Sequence, residues 1–307
     1  MQKGMKTMSY LLVHFIGEEQ NGEQVYFSVS QDGLHFHDLN KGLPVLKSDI
    51  GEEGVRDPFL IRDTKRGKFY IIATDLRIEK GLGWKHAQEK GSREIIIWES
   101  IDLVNWEGPR AVTVGVPQAG NVWAPEAIYD EEKEAFLVFW ASKVDGKHRM
   151  YASYTDDFKV FEEPFVYMEK DRDVIDSTVV YEDGYYYRFT KDETTSRILM
   201  ERSKSLTGKY EEIQSLVLEE LPGVEGPEIY LLPDGKTWCL IVDRFAEGKG
   251  YMILQSKQLS GGDFTALAEE AYNFGHLRKR HGGVLPITND EYQRLVRFFD
   301  QLNPVLP

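Results

Sequence analysis

The sequence predicts an all-β chain folded as a five-bladed β-propeller, its ring closed by a C-terminal strand that completes the N-terminal blade. Three observations carry that expectation. Helical periodicity is confined to the stretch 290–302. A Ser-led turn motif recurs five times along the chain. A second series of short segments, four of them bearing an acid, alternates with the first, and self-similarity at a period of about 50 residues is the mark of propeller blades.

The turn series begins at Ser30-Gln-Asp32-Gly-Leu34-His-Phe36 and continues at Ser100-Ile-Asp102-Leu103-Val-Asn-Trp106 and Ser153-Tyr-Thr-Asp156-Asp-Phe158. Weaker copies follow at Ser203-Lys-Ser-Leu206 and Ser256-Lys-Gln-Leu259, giving serine steps of 70, 53, 50 and 53 residues. Each copy is preceded by apolar or alternating runs such as Glu94-Ile-Ile-Ile-Trp98, Phe69-Tyr-Ile-Ile-Ala73 and Phe136-Leu-Val-Phe139. Runs of that length, rich in β-branched and aromatic residues and bounded by Gly, Asp and Asn, read as strands.

The second series supplies the start of each unit. Its members are Val55-Arg56-Asp57-Pro, Val122-Trp123-Ala-Pro-Glu126, Val174-Ile-Asp176-Ser and Val224-Glu225-Gly-Pro-Glu228, with His281-Gly-Gly-Val-Leu-Pro-Ile287 as a fifth. The first outer unit, residues 10–40, has no inner segment of its own, and residues 281–287 have no outer unit after them. Joining the two closes the ring and removes an exposed sheet edge. Residues 1–307 are then one propeller domain.

Composition excludes several classes of function. A net charge of −14, with no stripe of Lys and Arg, disfavours a nucleic-acid partner. The single cysteine, Cys239, lies in the apolar run Trp238–Val242 and allows neither a disulfide framework nor a thiolate metal site. No run approaches the ~18 apolar residues of a membrane span. The apolar stretch 10–16 contains His14 and is followed by no small-residue cleavage site, so it reads as a strand and the expected location is the cytoplasm. Oligomeric state is left open.

Inner strands start beside the central channel, so their first residues converge despite large separations in sequence. Asp57, Glu126, Asp176 and Glu225 are the acids expected there. Like charges gathered in a channel raise one another's pKa and cost stability, so such a set implies a neutralising cation or acid–base chemistry. The string Glu107-Gly-Pro109 repeats part of the fourth motif, but it falls on an outer-strand edge and is expected to have no role.

Arg56-Asp57-Pro, Trp123-Ala-Pro-Glu126, Ile175-Asp176-Ser and Glu225-Gly-Pro, in this order and spacing, resemble glycoside hydrolase family 43 across nearly the whole chain. The resemblance implies an inverting glycosidase on a five-bladed propeller. It makes Asp57 the general base, Glu225 the general acid and Asp176 the carboxylate that orients the acid and raises its pKa. It also suggests a structural calcium at the axis near His281, reached largely through water, and no organic cofactor. Substrate contacts are expected from His14, Phe15, Arg56, Trp84, Trp123 and Glu126. Trp84 lies in a Gly-rich insertion between Leu76 and Arg93 that enlarges the second unit, and long loops in compact domains tend to carry function.

The expected substrate is an oligosaccharide of plant origin carrying a terminal pentose, with α-L-arabinofuranose first and β-xylose or galactose as alternatives. Retaining fructan and sucrose hydrolases share the Arg-Asp-Pro motif. They require an Asn-Asp-Pro nucleophile segment and a Glu-Cys acid, and neither is present. No clustered basic residues suggest a phosphorolytic relative. From another class, a non-catalytic glycan-binding propeller would gain nothing from three acids at its axis.

Overall fold

The computed structural model describes residues 8–301. Among them, twenty strands form five antiparallel sheets of four. The second blade runs through Val55–Asp63, Lys68–Asp75, Glu94–Ser100 and Trp106–Thr113, and the third through Trp123–Asp130, Ala135–Val144, Lys147–Thr155 and Phe165–Met168. The fourth comprises Val174–Glu182, Tyr185–Asp192, Arg197–Ser203 and Glu211–Glu212, and the fifth Glu225–Leu231, Trp238–Asp243, Tyr251–Ser256 and Thr265–Ala266. The first blade takes its inner strand, Gly282–Thr288, from the far end of the chain and adds Met8–His14, Tyr26–Ser30 and Phe36–Asp38.

Most second strands carry long apolar runs because neighbouring blades cover both of their faces; the fourth blade's, Tyr185–Asp192, includes Arg188 and Lys191. Alternation along a strand then sorts side chains between two cores. Phe69, Ile71 and Ala73 pack with Leu11, Val13 and Phe27 of the first blade, whereas Tyr70 and Ile72 pack with Phe136, Val138 and Trp140 of the third. Three further clusters fill the remaining gaps between blades, one of them enclosing Cys239. Trp98 and Trp140 are core residues, as the sequence suggests, and Trp106 packs at the edge of the first cluster.

The recurrent Ser motif is a turn between the third and fourth strands. Ser30 Oγ accepts the amide of Gly33 while Asp32 Oδ1 accepts those of Leu34 and His35, and Ser100 and Asp102 do the same for Leu103, Val104 and Asn105. Short polar side chains that cap their own loop favour such turns. In the third blade the turn uses Thr155 and Asp157 in place of Ser153 and Asp156, two residues and one residue later.

The inner strands contact one another in a complete circle, Val55–Asp63 to Trp123–Asp130 and onward to Gly282–Thr288, which returns to Val55–Asp63. Closure rests on seven paired positions, from Met8 opposite Thr288 to His14 opposite Gly282. Beyond them a helix, Asn289–Val296, starts with a capping box between Thr288 and Glu291 and buries Leu295 against the first core. Deleting residues 278–307 is expected to abolish the sigmoidal thermal unfolding followed by circular dichroism, because it leaves two strand edges open. A truncated chain melting at the wild-type temperature would contradict the closure.

Candidate active site

The site is built by one irregularity repeated around the ring. In four inner strands the third residue of the motif adopts positive φ: Asp57 at 49°, Ala124 at 47°, Asp176 at 49° and Gly226 at 52°. At each, the pairing with the second strand slips by one residue, which defines a β-bulge. A bulge re-aims a side chain and tightens local twist. Left-handed backbone costs an ordinary residue about 1 kcal/mol or more, and the strain retained at Asp57, Ala124 and Asp176, with glycine at the fourth position, points to a functional surface.

The bulge divides the acids into two tiers. Asp57 and Asp176 sit on it. In the fifth blade that place belongs to Gly226, where a Cβ would lie 2.6 Å from His281 Cγ, so the acid is displaced to Glu225, one residue earlier. Glu126 is not their equivalent, although the sequence puts the four acids in one series. It lies two residues past the bulge at Ala124 and matches Glu228, deeper in the channel. Both are buried, and Glu228 accepts hydrogen bonds from Thr178 Oγ1 and the Val284 amide.

A cavity of about 530 Å³ opens over the upper tier. Asp57, Asp176 and Glu225 line it, with Arg56, Trp84, Trp123, Lys191, Phe245 and Arg280. Beneath them lies His281, 5% exposed, with Nδ1 3.4 Å from Asp57 and 3.9 Å from Asp176 and Nε2 3.9 Å from Glu126. Burial alone depresses an imidazole pKa, but these carboxylates outweigh it and raise that of His281 well above the usual value. The surrounding carboxylates thus favour the protonated form of the axial ring.

Each carboxyl then has its own electrostatic setting. Burial pushes Asp57 upward, but the bond and charge of His281, with Arg56 and the Thr74 hydroxyl 2.9 Å away, win and hold it below the ordinary range. Asp176 is pushed up to about 6, chiefly by burial and by Glu225, against the pull of His281. It accepts the Gly226 amide at 3.1 Å. Glu126 rises to about 7, mainly through burial. Glu225 departs from expectation: Lys191 Nζ and Arg280 Nη2 each lie 2.8 Å from one of its oxygens, and together they outweigh burial and keep its pKa low.

The other expected contact residues divide. Arg56 lies between the rings of Phe15 and Trp84, its carbon 4.6 and 4.8 Å from their centres, and pairs with Glu23 at 2.9 Å. Trp84 begins a short helix, Trp84–Lys90, inside the insertion and meets Trp123 edge-on at the cavity rim. His14 and Phe15 do not line the cavity. The His14 ring turns into the first blade, stacks on Tyr26 and reaches Ser28 Oγ at 3.1 Å. Burial first, and then Lys279, lower its pKa to about 3, so it stays neutral. Phe15 is buried and supports Arg56 and Arg280 from behind.

Glu107-Gly-Pro109 lies on the outer strand Trp106–Thr113, away from the site. Lys191, Phe245 and Arg280 escaped the sequence reading, although Arg278-Lys-Arg280 beside His281 is a rare basic run in an acidic chain. Basic residues therefore do cluster here, contrary to expectation. Each is neutralised: Arg56 by Glu23, Lys191 by Glu193 and Glu225, and Arg280 by Asp243 and Glu225. Such pairing argues against an anion site. Among the described residues no helix is long and apolar enough to cross a membrane.

Comparison with known proteins agrees with this architecture. An α-L-arabinofuranosidase of Bifidobacterium longum subsp. longum is 33% identical over 288 residues, covering 77% of this chain and 27% of that protein. The chain thus spans about a quarter of that relative's length. A solved endo-1,4-β-xylanase from Bacteroides thetaiotaomicron superposes with a TM-score of 0.61 at 12% identity, over 90% of this chain and 93% of that one. An exo-β-1,3-galactanase from Clostridium thermocellum gives 0.61 at 14%, over 91% and 64%. Identities this low bear on fold alone. The family model described as "Probable glycosyl hydrolase domain" and related to glycoside hydrolase family 43 matches residues 6–293. With that match running through all five blades and the acid-lined cavity, the chain belongs to the glycosyl hydrolase domains related to glycoside hydrolase family 43.

Proposed function

We propose that this chain is an inverting, exo-acting glycoside hydrolase that releases terminal α-L-arabinofuranose from oligosaccharides. The observation that carries the reading is the convergence of Asp57, Asp176 and Glu225 on one cavity, which places carboxyls on both sides of a bound sugar for acid and base work. Asp57, held ionised, takes a proton from water as the water oxygen bonds to the anomeric carbon. Glu225 gives a proton to the glycosidic oxygen, which keeps the electron pair of the breaking C–O bond. Asp176, fixed by the Gly226 amide, stands beside the acid as a negative or neutral neighbour according to pH. Trp84 and Trp123 offer flat apolar faces to a sugar ring. The arabinose preference rests on the printed name of the Bifidobacterium relative.

A structural calcium near His281 is part of the proposal: among the described residues no group of three or more His, Cys, Asp or Glu side chains is arranged to hold a metal ion directly, so such an ion would be held largely through water. No step above involves a metal.

Aryl glycosides of α-L-arabinofuranose, β-D-xylose and β-D-galactose, followed by proton NMR from the moment of mixing, test the reading. Hydrolysis fastest on the arabinoside, with the first anomer inverted, is the expected result. A first anomer of unchanged configuration would remove Asp57 from the role of base. No turnover of any glycoside would favour a binding module.

A further inference from the structure

Glu225 must carry a proton before it can protonate a leaving group, yet each of its oxygens faces a cation. Arg280 Nη2 lies 2.8 Å from Oε1 and Lys191 Nζ 2.8 Å from Oε2. Each oxygen keeps a second lone pair, but two adjacent cations disfavour the protonated form, and withdrawal of one would ease it; the two are held very differently. Arg280 is tied to fully buried Asp243 and lies over the Phe15 ring at 5.5 Å. Lys191 has a flexible stem and a second acceptor already in reach, Glu193 Oε2 at 2.7 Å, which has no other hydrogen-bond partner. Its ammonium also sits 4.4 Å from the centre of the Phe245 ring, on the cavity wall.

We propose that Lys191 is a mobile clamp on Glu225: it holds the carboxylate of the free enzyme and moves to Glu193 when substrate enters, releasing Oε2 to take up the proton that the reaction needs. Lys191 is a positioning residue, and the inference rests on Glu225 being the general acid. Backbone register puts it there. Lys191 is the second-strand partner of Ile175, directly before the Asp176 bulge, the place that Thr74 and Asp243 occupy in the second and fifth blades. Each of these three side chains bonds or pairs with a group of the upper tier or its arginine.

The charge on Glu225 answers to several groups. Lys191 and Glu193 face it from the fourth blade's second strand and its turn, Asp176 from that blade's inner strand, and Asp243 from its own blade. Arg280 and His281 come from the closing segment and Asp57 from the second blade. Removing Lys191 deletes an opposite charge at contact distance and leaves the others in place. An opposite charge at such range shifts a carboxyl by about 1–3 pH units.

Lys191→Met, Lys191→Arg and Glu193→Gln, each compared with Glu225→Gln, test the proposal through pH profiles of kcat/KM. Two arabinosides are needed, one with an alkyl and one with an activated aryl leaving group. In Lys191→Met the alkaline limb for the alkyl glycoside should rise by about one pH unit or more, with the acidic limb unmoved. Lys191→Arg should restore the wild-type limb. Glu193→Gln should move it the other way, because the ammonium then stays on Glu225, and this variant carries the test if Lys191→Met does not fold. Alkaline limbs unmoved in both variants, or a fall in kcat equal at every pH, would overturn the clamp. If Glu225→Gln slows both leaving groups alike, the assignment of Glu225 as acid fails instead.

Discussion

Asp57→Asn is expected to lower kcat/KM by about a thousandfold on every glycoside, activated or not, because the attacking water loses its base. Asparagine keeps the shape and can still meet the Thr74 hydroxyl, so the fold should survive, with a melting temperature lowered by the lost pairing with His281. Glu225→Gln provides the contrast. An activated aryl group departs without help, so its hydrolysis should fall far less than that of an alkyl glycoside. Steady-state kinetics on one aryl and one alkyl arabinoside read both variants. Equal losses on both substrates for Asp57→Asn, and unequal losses for Glu225→Gln, are the signature of a base and an acid. The reverse pattern would exchange the two roles.

His281→Gln should be the most destabilising single change in the molecule. The ring lies beneath two buried carboxyls, Glu126 and Asp176, and the partly buried Asp57, and removing one partner of a buried ionic group costs about 3–5 kcal/mol. The pH dependence is specific. His281 has a raised folded-state pKa, so its contribution is complete below the ordinary imidazole value and is lost only as pH rises through the folded one. Asp176 and Glu126, raised to about 6 and 7, add stability that is complete below their unfolded pKa values and fades as pH climbs through the folded ones. The gap in melting temperature between wild type and variant should therefore be fully developed at acidic pH and narrow as pH rises above the ordinary imidazole value toward the folded one. A gap that is constant with pH would mean that the ring only fills space.

The blade count, the closing strand and the cavity acids Asp57, Asp176 and Glu225 were legible because each is written in contiguous motifs at blade spacing. What escaped was whatever depends on register between strands. Glu126 looked equivalent to Asp57 because both stand near the start of an inner strand. A bulge of one residue separates the tiers, and no sequence pattern marks it at Ala124, which carries the strained backbone without glycine. Lys191 was invisible for a related reason: only pairing with Ile175 brings it to the cavity. His14 misled in the opposite direction. It ends the strand Met8–His14, but its ring points into the blade, toward Ser28 and Asp38.

The closing of the first blade sets a schedule for the chain during its synthesis. Strand Met8–His14 leaves the ribosome long before its inner partner Gly282–Thr288. At about 5–20 residues per second the wait is on the order of tens of seconds. Through that interval Leu11, Leu12 and Val13 belong to a sheet with one bare edge, a template for pairing with another nascent copy. The other four blades can each assemble from one continuous segment as it emerges. The first blade cannot, so the ring's last contact to form is also the one with the greatest sequence separation, which is slow for any topology. Crowded polysomes translating this message would thus expose the same apolar strand on every chain until Gly282–Thr288 arrives.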